Sequence, residues 1–141
     1  MTPQQISLVE ESFRTVFPIR TAAAEIFYRR LFALDPGLKP LFERSDMADQ
    51  GKKLMASLAF VVGGLRSAET IVPAVEALAR RHVGYGVQTR HYRTVGAALI
   101  ETLDEGLGEA FTPEVREAWL AAYGLLSGVM LAAAGAEPAL A

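Results

Sequence analysis

The chain has 141 residues, 51% of them hydrophobic, which is one domain's worth of length and enough apolar material for a substantial core. Its 14 basic and 16 acidic side chains leave a formal net charge of −2 with no dense basic run, so neither nucleic acid nor an anionic membrane surface is an expected partner. Cysteine is absent, which excludes disulfides, thiolate metal sites and cysteine nucleophiles; any metal must be held by histidine, carboxylate or a cofactor's own ligands.

Alternation of polar and apolar residues never persists, whereas three-and-four spacing recurs from end to end, so the expected class is all-α. Thr2 is placed to cap a first helix, with Pro3 at its first position, Gln5 as reciprocal partner, and Ile6, Val9, Phe13 and Val16 as its apolar stripe. Phe17-Pro18 ends it, because the residue before proline resists helical geometry. The second helix covers residues 20–34 with Ala24, Phe27, Tyr28, Leu31 and Phe32 facing inward, and the Asp35-Pro36-Gly37 turn stops it. Pro36 opens a short helical piece carrying Leu38, Leu41 and Phe42, followed by a polar connection.

A third long helix is expected over residues 49–65, with a stripe of Gln50, Leu54, Leu58, Val61 and Leu65 that is apolar everywhere but at Gln50. A turn at 66–70 leads to a helix over 71–85 that Gly84 and Gly86 loosen. Two further helices cover residues 92–107 and 113–134, the last capped by Thr112 with Glu114 and Glu117 at its amino end. Tyr123, Gly124, Ser127 and Gly128 interrupt the apolar run at 118–134, which suits a core helix better than a membrane span. Residues 135–141 are expected to fray. Six main helices and one short one, of unequal lengths, do not make an up-and-down four-helix bundle, and a single domain over 1–141 is expected. The amino terminus lacks the basic start and apolar core of a secretory signal, so a cytoplasmic location is the expectation.

His82 stands four residues after Leu78 and seven after Val75, a lone imidazole on an apolar helix face. It needs a partner there, either a core carbonyl or a metal ion, and spacing alone favours the carbonyl. The other histidine, His91, lies among Gln88, Thr89, Arg90 and Arg93 and is expected at the surface.

Four stretches taken together resemble the globin family. They are Phe27-Tyr28-Arg29-Arg30-Leu31-Phe32 with Pro36, Pro40, Leu41 and Phe42; Gln50 through Met55; Arg81-His82 with Tyr85-Gly86-Val87, His91-Tyr92 and Val95-Gly96; and Trp119 with Ala122-Tyr123-Gly124. Within the family the chain is most similar to bacterial single-domain haemoglobins, which look like the globin part of a flavohaemoglobin without its reductase. The resemblance runs from the first helix through Met130 and implies a globin fold with haem b between a distal and a proximal helix. It makes His82 the proximal iron ligand and Gln50 the distal residue, with Asp49 as the alternative because the loop before it varies in length. Tyr28 matches the distal tyrosine of many bacterial globins, and Phe42 the phenylalanine that packs on the haem ring. Leu54 and Leu58 would wall the distal cavity; Val87, Tyr92, Val95 and Leu99 would line the proximal side. Lys53 and Arg81 are within reach of the haem propionates, or are simply solvated.

One departure bears on chemistry. Relatives assist the proximal histidine with a tyrosine and a glutamate; Tyr92 is present, but Ala132, Ala133 and Ala134 stand where the glutamate would be. The resemblance therefore implies a haem protein that binds dioxygen reversibly, for transport, storage or scavenging, at iron with an open position. A nitric oxide dioxygenase is the alternative, and it requires a separate reductase, since no flavin or nicotinamide domain fits in 141 residues. A gas sensor or interaction module is the second alternative, with nitric oxide and other small haem ligands as further candidates.

Overall fold

The structure, a computed structural model, describes residues 1–84 and 90–140, with side chains as far as residue 134. Helix α1, Pro3–Val16, opens on the expected capping box: the Gln5 amide donates to Thr2 Oγ1 at 3.1 Å, and the Thr2 amide to Gln5 Oε1 at 3.0 Å. A single 3₁₀ turn, Phe17–Ile19, links it to α2, Arg20–Leu34. Asp35 then accepts from the Gly37 amide at 3.0 Å, and the 3₁₀ segment Pro36–Phe42 follows with Leu38 buried.

Helix α3, Met47–Gly63, begins two residues before the expected start. The reason is Asp46, whose side chain accepts from the amides of Ala48 at 3.0 Å and Asp49 at 3.3 Å and so satisfies the first orphan donors of the helix. Gln50 thus sits at the fourth position of the helix and not at the second. After the 3₁₀ turn Leu65–Ser67, α4 runs over Ala68–Gly84, starting ahead of the expected residue 71 and carrying Pro73 inside it. Helix α5, His91–Leu107, starts one residue early, and α6, Pro113–Leu140, continues as helical backbone beyond residue 134, where fraying was expected.

Among the described residues every regular element is helical. Helix α2 packs on α5 and α3, and α6 packs on α1 and α4. By length and composition the stretch Pro113–Ala134 could cross a membrane, yet its row of Val115, Ala118, Trp119, Ala122, Met130 and Ala133 is buried in the core. Trp119 fastens α6 to α1: its indole N–H donates to Ser12 Oγ at 2.8 Å, and that hydroxyl donates in turn to the Leu8 carbonyl at 2.6 Å. A buried indole N–H without such a partner would forfeit its hydration for nothing.

Candidate functional site

Tyr28 is buried on the inner face of α2, against the rings of Phe27 and Phe42 at centroid distances of 5.1 and 5.5 Å and that of Phe32 at 6.1 Å. Its hydroxyl donates to the backbone carbonyl of Gln50 at 3.5 Å, the outer limit of a hydrogen bond. Burial pushes its pKa up to about 12, with the Gln50 side-chain amide working the other way, so the hydroxyl is a protonated donor at neutral pH. Sequence reasoning missed what brings the two together. Gly51 lets α3 approach α2 so closely that a Cβ there would lie 2.9 Å from the Ala24 Cβ. Gln50, half-buried, is the residue beside that crossing, whereas Asp49 is exposed. Leu54 and Leu58 follow on α3, both half-buried against the core, and Phe42 likewise.

His82 sits in the last turn of α4, half-buried. Its Nδ1 lies 2.7 Å from the Leu78 carbonyl oxygen. A carbonyl only accepts, so Nδ1 carries the proton of the neutral imidazole and Nε2 carries the lone pair. The two partners that spacing leaves open for this histidine are thus compatible, since the carbonyl engages one nitrogen and sets the tautomer in which the other coordinates metals. Among the described residues no three histidine or carboxylate side chains converge on a metal-sized site. A single imidazole donor suits a metal that arrives inside a macrocycle, and a tyrosine packed among phenylalanine rings and in contact with a glutamine suits haem; the residues present fit the group.

Leu99 is buried on α5, with Tyr92 and Val95 half-buried, while Lys53 and Arg81 are exposed. Val87 lies outside the described residues. The Tyr123 hydroxyl donates to the Tyr92 carbonyl, and its ring seats on Gly96, where a Cβ would meet the ring at 2.7 Å. The Tyr92 hydroxyl is buried without a hydrogen-bond partner among the described residues, and burial raises its pKa.

His91 corrects an expectation. Its side chain is buried, with 5% of its surface exposed, where a surface position was expected from its polar neighbours. Burial lowers its pKa first, Arg90 lowers it further, and Asp35 opposes both. The missed signal is periodic: His91, Val95, Ala98 and Thr102 recur at helical spacing, and three of them are buried with Val95 packed on the core.

A chain whose described residues are all-helical in their regular elements, with a histidine whose tautomer is set by a helix carbonyl on one helix and a buried tyrosine touching a half-buried glutamine on two others, has the architecture of a haem-pocket protein. The Globin family model matches residues 25–130, and the chain belongs to the globin family. It is 31% identical over 138 residues to a flavohemoprotein of Vibrio cholerae, covering 96% of this chain and 35% of that protein. A flavohemoprotein of Bordetella parapertussis is 32% identical over 142 residues, covering 99% of this chain and 35% of that protein. The chain thus spans about 35% of the length of these relatives. Among solved structures, a bacterial globin from Campylobacter jejuni superposes with a TM-score of 0.84 at 24% identity, over 95% of this chain and 96% of that one, a likeness of fold alone. An engineered carbene transferase, a variant of a proposed nitric oxide dioxygenase from Rhodothermus marinus, superposes with a TM-score of 0.88 at 25% identity, over 99% and 97%.

Proposed function

We propose that this globin binds haem b through His82 and holds dioxygen reversibly, serving transport, storage or scavenging in the cytoplasm. The observation that carries the reading is the Nδ1 hydrogen bond of His82 to the Leu78 carbonyl, which presents Nε2 as a neutral donor. When bound, haem supplies an iron with one coordination position for a diatomic ligand. Phe42, Leu54 and Leu58 exclude water from the distal side, and Tyr28 and Gln50 donate to the ligand. The Tyr28 bond to the Gln50 carbonyl is long, so its hydroxyl turns toward a ligand at little cost. Val95 and Leu99 would form the proximal wall with Tyr92, and Lys53 and Arg81 would meet the propionates.

Ligand release tests the distal pair. A hydrogen bond to a partly charged acceptor contributes about 1.5–3 kcal/mol, so Tyr28→Phe and Gln50→Leu should each speed dioxygen release by about tenfold or more. Unchanged release in both variants would show that neither side chain holds the ligand.

A second reading is nitric oxide dioxygenation with a reductase as partner. It is favoured by the flavohemoprotein relatives and by the likeness to the Rhodothermus marinus protein. With a reductase supplied, catalytic nitrate formation from nitric oxide and dioxygen supports it; a single stoichiometric burst supports simple binding.

A further inference from the structure

Helix α6 departs from the usual pattern of a surface helix, which turns charged and polar residues outward. From Ala118 to Ala136 it carries no charged residue, and only 28% of its most apolar stretch is buried. The row Val115, Ala118, Trp119, Ala122, Met130 and Ala133 faces the core. On the opposite side Leu120, Gly124 and Gly128 follow one another at four-residue spacing and all are exposed, Leu120 by 47%. Leu125, 44% exposed, leads from that ridge to an apolar groove shared with α4 and lined by Ile71, Val72, Val75, Leu126 and Val129. Continuous apolar surface of this kind marks a contact site. We propose that the outer face of α6 is the interface between two copies of this chain, the two helices crossing antiparallel about a two-fold axis at Gly124.

Shape commits the face to a second copy. In an antiparallel two-fold pair centred on Gly124, residues equally far from that position on either side meet, so Leu120 of one copy lies against Gly128 of the other, and the contact is made twice. Each leucine enters the notch that a glycine leaves, and the glycines at the axis let the two backbones approach. The fold of one chain asks for neither glycine. A Cβ at Gly124 or Gly128 would meet no atom within 4 Å, neither has a positive φ, and each is a poorer helix former than alanine. Gly51 and Gly96, by contrast, admit a close neighbour from within the chain, with a Cβ falling 2.9 Å from Ala24 and 2.7 Å from Tyr123. The same use of glycine on the outer face calls for a neighbour from outside.

Charge and area agree with this occupant. Two copies bring no like charges together over residues 118–136. The residues beyond that run are Glu114, Glu117 and Glu137 against Arg116 alone, a poor match for a lipid surface, which favours helices rich in lysine and arginine. The 22 residues of Pro113–Ala134 span about 33 Å, and with the flanking groove the face is about 20–25 Å wide. That gives roughly 700–800 Å² per copy, the size of a stable protein contact.

Sedimentation velocity of the haem-loaded protein over about 1–100 μM tests the pairing. We expect a reversible dimer with a dissociation constant of about 10 μM. Gly128→Leu fills both notches while improving helix propensity, and should weaken the dimer at least tenfold; Leu120→Ala removes both knobs and should do the same. The double variant Leu120→Ala/Gly128→Leu moves knob and notch to each other's places, so it should recover wild-type affinity to within about threefold. All three should keep the wild-type far-ultraviolet dichroism spectrum. A wild type that stays monomeric throughout, a dimer indifferent to Gly128→Leu, or a double variant no tighter than the single ones would overturn the proposal. So would a monomer that co-sediments with phosphatidylglycerol vesicles, which would assign the face to lipid. Haem uptake is read separately in the visible spectrum, so failure here leaves the oxygen-binding reading standing.

Discussion

At the scale of single residues, the two histidines take different parts. The apolar neighbours of His82, at four and seven residues, mark it as an inward imidazole, and the Leu78 bond decides which nitrogen faces away from the helix backbone. The immediate neighbours of His91 are polar and misleading, because helical spacing and not adjacency decides burial. The burial has a consequence in pH. Because the folded-state pKa of His91 lies below its usual value, the unfolded chain binds the proton more readily, and the stability from this group is present above that usual value and lost as pH falls. Wild-type melting temperature should therefore drop from neutral to mildly acidic pH by more than that of His91→Gln; parallel losses would show that His91 contributes nothing to acid sensitivity. Ser12 offers a second residue-scale test, since Ser12→Ala leaves the buried Trp119 N–H unpaired. Chemical denaturation should report a loss of about 1–3 kcal/mol, and a neutral result would mean that water replaces the hydroxyl.

At the scale of elements, periodicity locates all six main helices, because each buries one stripe and shows it at three-and-four spacing. Ends are harder. The start of α3 turns on whether Asp46 or Asp49 caps it, and both suit a cap by residue type; only the geometry of the Ala48 and Asp49 amides separates them. Helix crossings are not legible either. Gly51 and Gly96 look like ordinary helical glycines in the sequence, and their purpose emerges only when Ala24 and the Tyr123 ring are seen against them. Gly51→Ala places a methyl 2.9 Å from another methyl, so α3 must move away from α2. A destabilisation of about 1–3 kcal/mol is expected, together with faster ligand release, as the shift separates Gln50 from Tyr28. Unaltered denaturation and unaltered release in this variant would mean that the helices absorb the methyl without disturbing the pair.

At the scale of the whole molecule, the candidate site draws on three helices: α2 gives Tyr28, α3 gives Gln50 and α4 gives His82. Residue spacing sets the face each occupies, and the globin resemblance supplies their mutual arrangement, which no local pattern contains. The Tyr28–Gln50 contact agrees with that arrangement. The resemblance implies an acidic residue where alanines stand at 132–134, and the Tyr92 hydroxyl has no hydrogen-bond partner among the described residues, so the proximal side is where this chain departs from the implied pattern. The central claim, that His82 is the protein's ligand to haem iron, is tested most directly by titrating haemin into the purified wild type, His82→Ala and His91→Gln and recording absorption spectra. Wild type and His91→Gln should develop the same Soret band at one haemin per chain, and His82→Ala should lose that band or shift it, with added imidazole restoring it. A wild type that takes up no haemin, or a His82→Ala spectrum identical to wild type, would contradict the account.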